Sequence, residues 1–207
     1  MTKTEKIQPL QLLFAIIAFI QGASLLTKFS LAISQRDTWI CVINAFVLTT
    51  FVILIYGVLI NKFPGMTIIE INDAVFGKIV GKIISLLYLY FFLSLTTLNI
   101  RNVCSFTLHN VLPETPLSII VITFVFVCAY IVRKGVHAMM SYGFLVVIAA
   151  SIVTTLNTIL LLKEMSFDNF LPVLSLSVKD YIQSTHTISA ISFGEIFIFF
   201  MLMPNLT

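Results

Sequence analysis

Apolar residues fill this chain in long runs separated by short polar breaks. Six such runs stand out: Leu10 to Ile33, Trp39 to Ile60, Ile83 to about Leu108, Leu117 to Val132, Met140 to Leu162, and Ile188 to Leu202, where Pro204 interrupts. Crossing the hydrocarbon core of a bilayer takes roughly 20 apolar residues as a helix, whereas a barrel strand needs about 10 residues of alternating polarity. These runs are longer and do not alternate, so the pattern predicts about six transmembrane helices. Between the second and third runs lies "NKFPGMTIIEINDAVFGKIVGK", too polar to span. Ile68, Ile69, Ile71, Val75 and Ile79 fall roughly on one helical face, with Glu70, Asp73 and Lys78 elsewhere around it. That predicts an amphipathic interfacial helix over about 66–80. "SQRDT" reads as a tight loop, "HNVLPETP" and "RKGVHA" as short turns, and "KEMSFDNFLPVLSLSVKDYIQSTH" as a longer connector of mixed polarity.

Composition agrees with the pattern. Of 207 residues, 59% are hydrophobic and 10% charged, and the mean hydropathy is +1.07. A soluble domain carries about 25% charged residues, so this chain cannot cover itself with polar surface. It is expected to be an all-α integral membrane protein, a single transmembrane domain over 1–207 whose first run is a retained span rather than a cleaved signal. The net charge of +3 gives no reason to expect nucleic acid. The distribution of the basic residues sets orientation instead. With the N-terminus inside, Lys3, Lys6, Lys62, Lys78, Lys82, Arg133 and Lys134 lie on the cytoplasmic side, against Arg36, Lys163 and Lys179 outside.

Lys28, Arg101 and Glu195 fall within the spans. A charge at the bilayer centre costs about 2.5–3.5 kcal/mol, and such residues usually face a bundle interior or a watery cavity. Two readings stay open for Lys28 and Arg101: snorkelling to the outer interface, or partnering a site. Glu195 either pairs with one of them or binds a cation or carries a proton. Gly22 and Gly194 each sit beside hydroxyl residues and a charge, in "QGASLLTK" and "SFGE". Either is a helix-packing glycine, or the two mark corresponding helix breaks of the kind that bind substrate at the midplane of secondary transporters.

Other signals are weaker. Cys41, Cys104 and Cys128 lack CxxC spacing and read as unpaired packing residues. His109, His137 and His186 are scattered at span ends without metal spacing. "GKIVGK" contains GxxxG, a helix-packing pattern, and is one residue short of a P-loop. No GxSxG or HExxH motif supports an enzyme. No cofactor or metal is expected.

Several stretches together resemble one family. "GASLLTKFSLAISQRDTWICVI" is similar to its first helix and loop, and "FPGMTIIEINDAVFGKIVGKIISLLYLYFF" to its loop and third helix. "LPETPLSIIVITFVFVCAYIVRKGVHAM" resembles its fourth helix, and "NFLPVL" and "FGEIFIFFMLMP" its fifth connector and sixth helix. The family is the spore germination permease family, the B subunits of germinant receptors, within the amino acid/polyamine/organocation transporter superfamily. The resemblance implies a LeuT-like fold of two inverted five-helix repeats with helices one and six broken. It implies sensing of small germinants such as amino acids in the spore inner membrane, alongside A and C subunits. Carried over by position, Gly22, Ala23 and Ser24 would line the ligand pocket with Phe193, Gly194 and Glu195, and Lys28 and Arg101 would be charge partners. The six runs correspond to the N-terminal part of that fold, so the chain is expected to be truncated and inactive by itself. Competing readings are a proton-coupled amino-acid transporter working through Glu195, and an inactive membrane fragment.

Overall fold

The structure, a computed structural model, describes residues 6–23 and 32–206. Helices cover every apolar run within those limits. They are α1 (Pro9–Ala23), α2 (Thr38–Lys62), α3 (Ile68–Asn110), α4 (Leu117–Arg133), α5 (Val136–Ser141), α6 (Gly143–Leu161) and α7 (Val178–Thr187). A π-helical turn, Ile188–Phe193, and a 3₁₀-helix, Gly194–Asn205, continue directly from α7. Short 3₁₀ turns occupy Gln35–Asp37 and Phe167–Phe170. Four continuous helical stretches are long and apolar enough to cross a membrane: Ala32–Lys62, Ile68–Asn110, Val136–Leu161 and Val178–Asn205. Pro9–Ala23 and Leu117–Arg133 are apolar but shorter. Among the described residues there is no strand, only an isolated bridge between Ile7 and Leu206. The chain is an all-α integral membrane protein. Its exposed surface carries the large apolar side chains that lipid accepts, such as Phe126 and Leu160, each 77% exposed.

Two compact units divide the chain. The first holds residues 65–141 with the two chain ends, where the Ile7 amide donates to the Asn205 carbonyl at 2.8 Å. Here α3 packs on α4. Its start is a capping box: the Thr67 hydroxyl accepts from the Glu70 amide, and the Glu70 carboxylate accepts from the Thr67 amide at 2.7 Å.

α3 is broken at Gly77, where φ is 77° and ψ 165°. Only glycine adopts this region without strain. Residues 68–76 and 78–110 are therefore separate helical arms joined by a sharp bend. The bend brings Gly81 against the preceding arm: a Cβ there would lie 2.7 Å from the Asn72 carbonyl oxygen and 2.8 Å from the Asp73 Cα. Ile68, Ile71 and Asn72 are buried on the short arm, and Gly81 and Ser85 on the long one. The two glycines of the GxxxG thus serve different ends, one for a backbone angle and the other for close approach.

The second unit holds residues 8–64 and 142–200. α1 packs along α6, with Phe14 edge-on to Phe144 at 5.0 Å. α2 packs against α7 and the π turn. Its buried face carries Cys41, Ala45 and Thr49 at four-residue spacing, small enough for close helix approach. Cys41, Ala45 and Ile188 form a buried cluster flanked by Val42, Leu176, Tyr181 and Phe193. All three cysteines are free thiols.

Candidate functional site

The sixth run is where the helix departs most from ideal geometry. Its start lies further back than the apolar pattern indicates: the last part of the mixed connector is helical as α7, capped by the Ser177 hydroxyl, which accepts from the Asp180 amide at 3.2 Å. The hydrogen-bonding pattern then widens to π and tightens to 3₁₀ at Gly194. Gly194 keeps helical angles, φ −67° and ψ −27°, so the chain changes pitch there without opening. A Cβ on Gly194 would meet the Ser189 carbonyl oxygen at 3.1 Å.

A 3₁₀-helix turns every three residues, so side chains at i and i+3 eclipse. Phe197 and Phe200 lie in one row, their rings 5.6 Å apart. Both meet Tyr56 of α2, at 4.9 and 5.1 Å, the second pair stacked. Ile196 and Phe199 lie in the next row, and Phe199 meets Phe19 of α1 edge-on at 5.4 Å. Glu195 heads the third row and is buried, 5% exposed.

The predicted site residues are distributed as follows. Ala23 ends α1 and is buried, while Gly22 is exposed, and a Cβ there would meet nothing within 4 Å. Ser24 and Lys28 lie outside the described residues, as does the expected break of helix one. Phe193 packs against the cluster on α2 and lies 6.0 Å from Phe46. Arg101 is exposed on α3 in the first unit. Among the described residues no cluster of His, Cys, Asp or Glu could hold a metal.

Sequence reasoning missed two polar seams. One runs between α1 and α6, where a groove of about 510 Å³ is lined by Ile20, Gln21, Ala150, Ser151, Thr154 and Thr155. The Gln21 amide donates to the Ser151 hydroxyl at 3.4 Å. Spacing held the signal: 151, 154 and 155 share one helical face. The other lies between α2 and the sixth helix. The Asn44 amide donates to the Tyr181 hydroxyl, and Thr49 and Ser189 share a hydroxyl bond of 3.0 Å.

A third missed element is Asp37, in the turn ahead of α2. Its side chain is fully buried and accepts from the amides of Leu174, Ser175 and Leu176 at 2.9, 2.8 and 3.2 Å and from the Ser175 hydroxyl at 3.0 Å. Leu174 has φ 59°, a left-handed residue that turns successive amides toward one anion. Burial alone would raise the Asp37 carboxyl, but the Ser175 hydroxyl and the three amides together outweigh it and leave it below the ordinary 3.8. The carboxylate pins residues 174–176 of the connector to the start of α2.

Helices of membrane-spanning length, lipid-type surfaces and hydroxyl seams between helices define a multi-pass α-helical membrane protein. A family model described as "Spore germination protein" matches residues 6–207, and the chain belongs to that permease-type family. It is 28% identical to spore germination protein KB of Bacillus subtilis (strain 168) over 200 residues, 95% of this chain and 53% of that protein. It is 25% identical to spore germination protein B2 of the same organism over 141 residues, 67% of this chain and 38% of that protein. It is 27% identical to spore germination protein YndE, also of that organism, over 135 residues, 64% of this chain and 37% of that protein. The chain thus spans about half the length of the first of these relatives and less of the other two. No solved structure matches it.

Proposed function

We propose that this chain is the N-terminal part of a germinant-receptor permease subunit that senses small germinants such as amino acids. In this reading it lies in the spore inner membrane with its N-terminus cytoplasmic and works with A and C subunits. The observation that carries the site is the buried carboxylate of Glu195 at the head of an irregular helix whose next row touches α1 through Phe19 and Phe199. Gly22, Ala23 and Ser24 would contribute the helix-one side, and Phe193 and Gly194 the helix-six side. Family membership over 6–207 supports the germination role. The complete LeuT-like fold would include helices beyond these six.

The test is Glu195→Gln in a full-length permease context, with membrane protein levels matched. A weakened response to amino-acid germinants upholds the site; an unchanged response removes Glu195 from it. The same buried carboxylate also suits proton-coupled amino-acid transport. Uptake of labelled amino acid into vesicles, with and without a pH gradient, separates transport from sensing.

A further inference from the structure

At the entry to α2 the chain forms a pocket of about 680 Å³, lined by Gln35, Arg36, Thr38, Trp39, Asn169 and Phe170. None of these belongs to the site proposed around Glu195. The volume lies within the range of about 300–1,000 Å³ common to small-molecule sites, which pair aromatic walls with a few polar groups. The geometry points to a second binding site here, for a small molecule that carries a carboxylate on an apolar, ring-sized body.

Its cation is Arg36. The guanidinium is exposed and donates through Nη1 to the Leu171 carbonyl at 2.6 Å. That bond anchors the group beside the pocket and uses one of its five N–H donors; the planar fork that remains matches a carboxylate. The hydrogen bonds recorded for the two neighbouring acids go to groups other than Arg36. Asp37 is buried and turned to the Leu174–Leu176 amides, and the Asp168 carboxylate accepts from the Ser166 hydroxyl at 3.4 Å. The apolar wall is Trp39 and Phe170, edge-on at 6.3 Å and 40% and 48% exposed, so each keeps ring surface for a ligand. The Asn169 amide adds a neutral hydrogen-bonding group. Gln35 holds the turn with φ 42°, a left-handed conformation rare for a residue with a side chain and typical of binding sites. The Asp37 clamp on the connector keeps the two halves of the pocket together.

Trp39 is the only tryptophan of the chain, so its fluorescence reports this pocket alone. The full chain in phosphatidylcholine nanodiscs would be titrated with phenylacetate, and with phenethylamine as the cationic counterpart. We expect a saturable change in Trp39 emission with phenylacetate and none with phenethylamine. Arg36→Gln should weaken the phenylacetate response about tenfold or more, since it removes charge-assisted bonds. No saturable response, or equal responses to both compounds, overturns the site. Should Arg36→Gln lose its helical circular dichroism, Phe170→Ala decides: weaker binding upholds the pocket, unchanged binding overturns it. Phosphatidylglycerol nanodiscs separate the two sources of an anion. If that lipid abolishes the phenylacetate response, the pocket holds a headgroup phosphate and the small-molecule assignment fails.

Discussion

The carboxylate of Asp37 and the backbone and hydroxyl of Ser175, 138 residues apart in sequence, hold two loops in one fixed arrangement. The contact joins the start of the second span to the loop that leads into the sixth. Its chemistry sets its pH dependence. The folded carboxyl titrates below the ordinary 3.8, so its contribution is fully present above the unfolded value and is lost as pH falls through the folded one. Asp37→Asn should lower the melting temperature of the purified protein at neutral pH. The difference from the parent should stay constant down to about pH 4 and shrink below it. A difference that does not change between pH 7 and pH 3 would show that charge plays no part in the clamp.

The bend in α3 gives a prediction with an internal control. Gly81→Ala places a methyl within 2.8 Å of backbone and should cost about 1–3 kcal/mol in equilibrium unfolding. Gly77→Ala forces a side chain into a glycine-only region and should cost a similar amount, about 1–3 kcal/mol. Gly57→Ala, in α2 with nothing within 4 Å, should be neutral or stabilising by up to about 1 kcal/mol. Equal effects at all three positions would refute the fold-back.

Thr67→Ala removes one half of the capping box and should destabilise the first arm of α3 by about 1 kcal/mol. Hydrogen exchange over residues 68–76 is the direct readout, with faster exchange there and little change beyond Gly77. Uniformly faster exchange along the whole of α3 would mean that the two arms melt as one helix.

Thr49 and Ser189 offer a measure of the seam between α2 and the sixth helix. A double-mutant cycle with Thr49→Val and Ser189→Ala should give a coupling of about 0.6 kcal/mol, the usual size for one hydroxyl bond between membrane helices. A coupling indistinguishable from zero would leave those hydroxyls as packing groups only.

The helical class of this protein was legible because lipid imposes it: any run long enough to span must satisfy its backbone internally. The amphipathic pattern from Ile68 to Ile79 predicts one helix over about 66–80, whereas the chain turns at Gly77, inside that range, and α3 carries on to Asn110. Other features were hidden by the kind of information they need. Gly77 and Gly81 form one sequence motif, yet a dihedral angle and a contact distance assign them different tasks. Asp37 looked like an ordinary loop residue because its partners are backbone amides, which leave no mark in side-chain composition. Gly194 did mark an irregularity in the sixth helix, but the irregularity is a change of pitch, and apolar periodicity over a few residues cannot separate three residues per turn from 3.6.

That pitch decides which neighbours the sixth helix can serve. Over the six steps from Gly194 to Phe200, a 3₁₀-helix rises about 12 Å and an α-helix about 9 Å. Each step also turns about 20° further, or about 120° in all. Wound as an ordinary α-helix, the same residues would carry Phe200 a third of a turn away from Tyr56 and draw it about 3 Å back along the axis. The aromatic contacts to α1 and α2 therefore act together as a gauge of winding, and a probe of the Tyr56–Phe200 stack reads the helical form of the segment that bears Glu195.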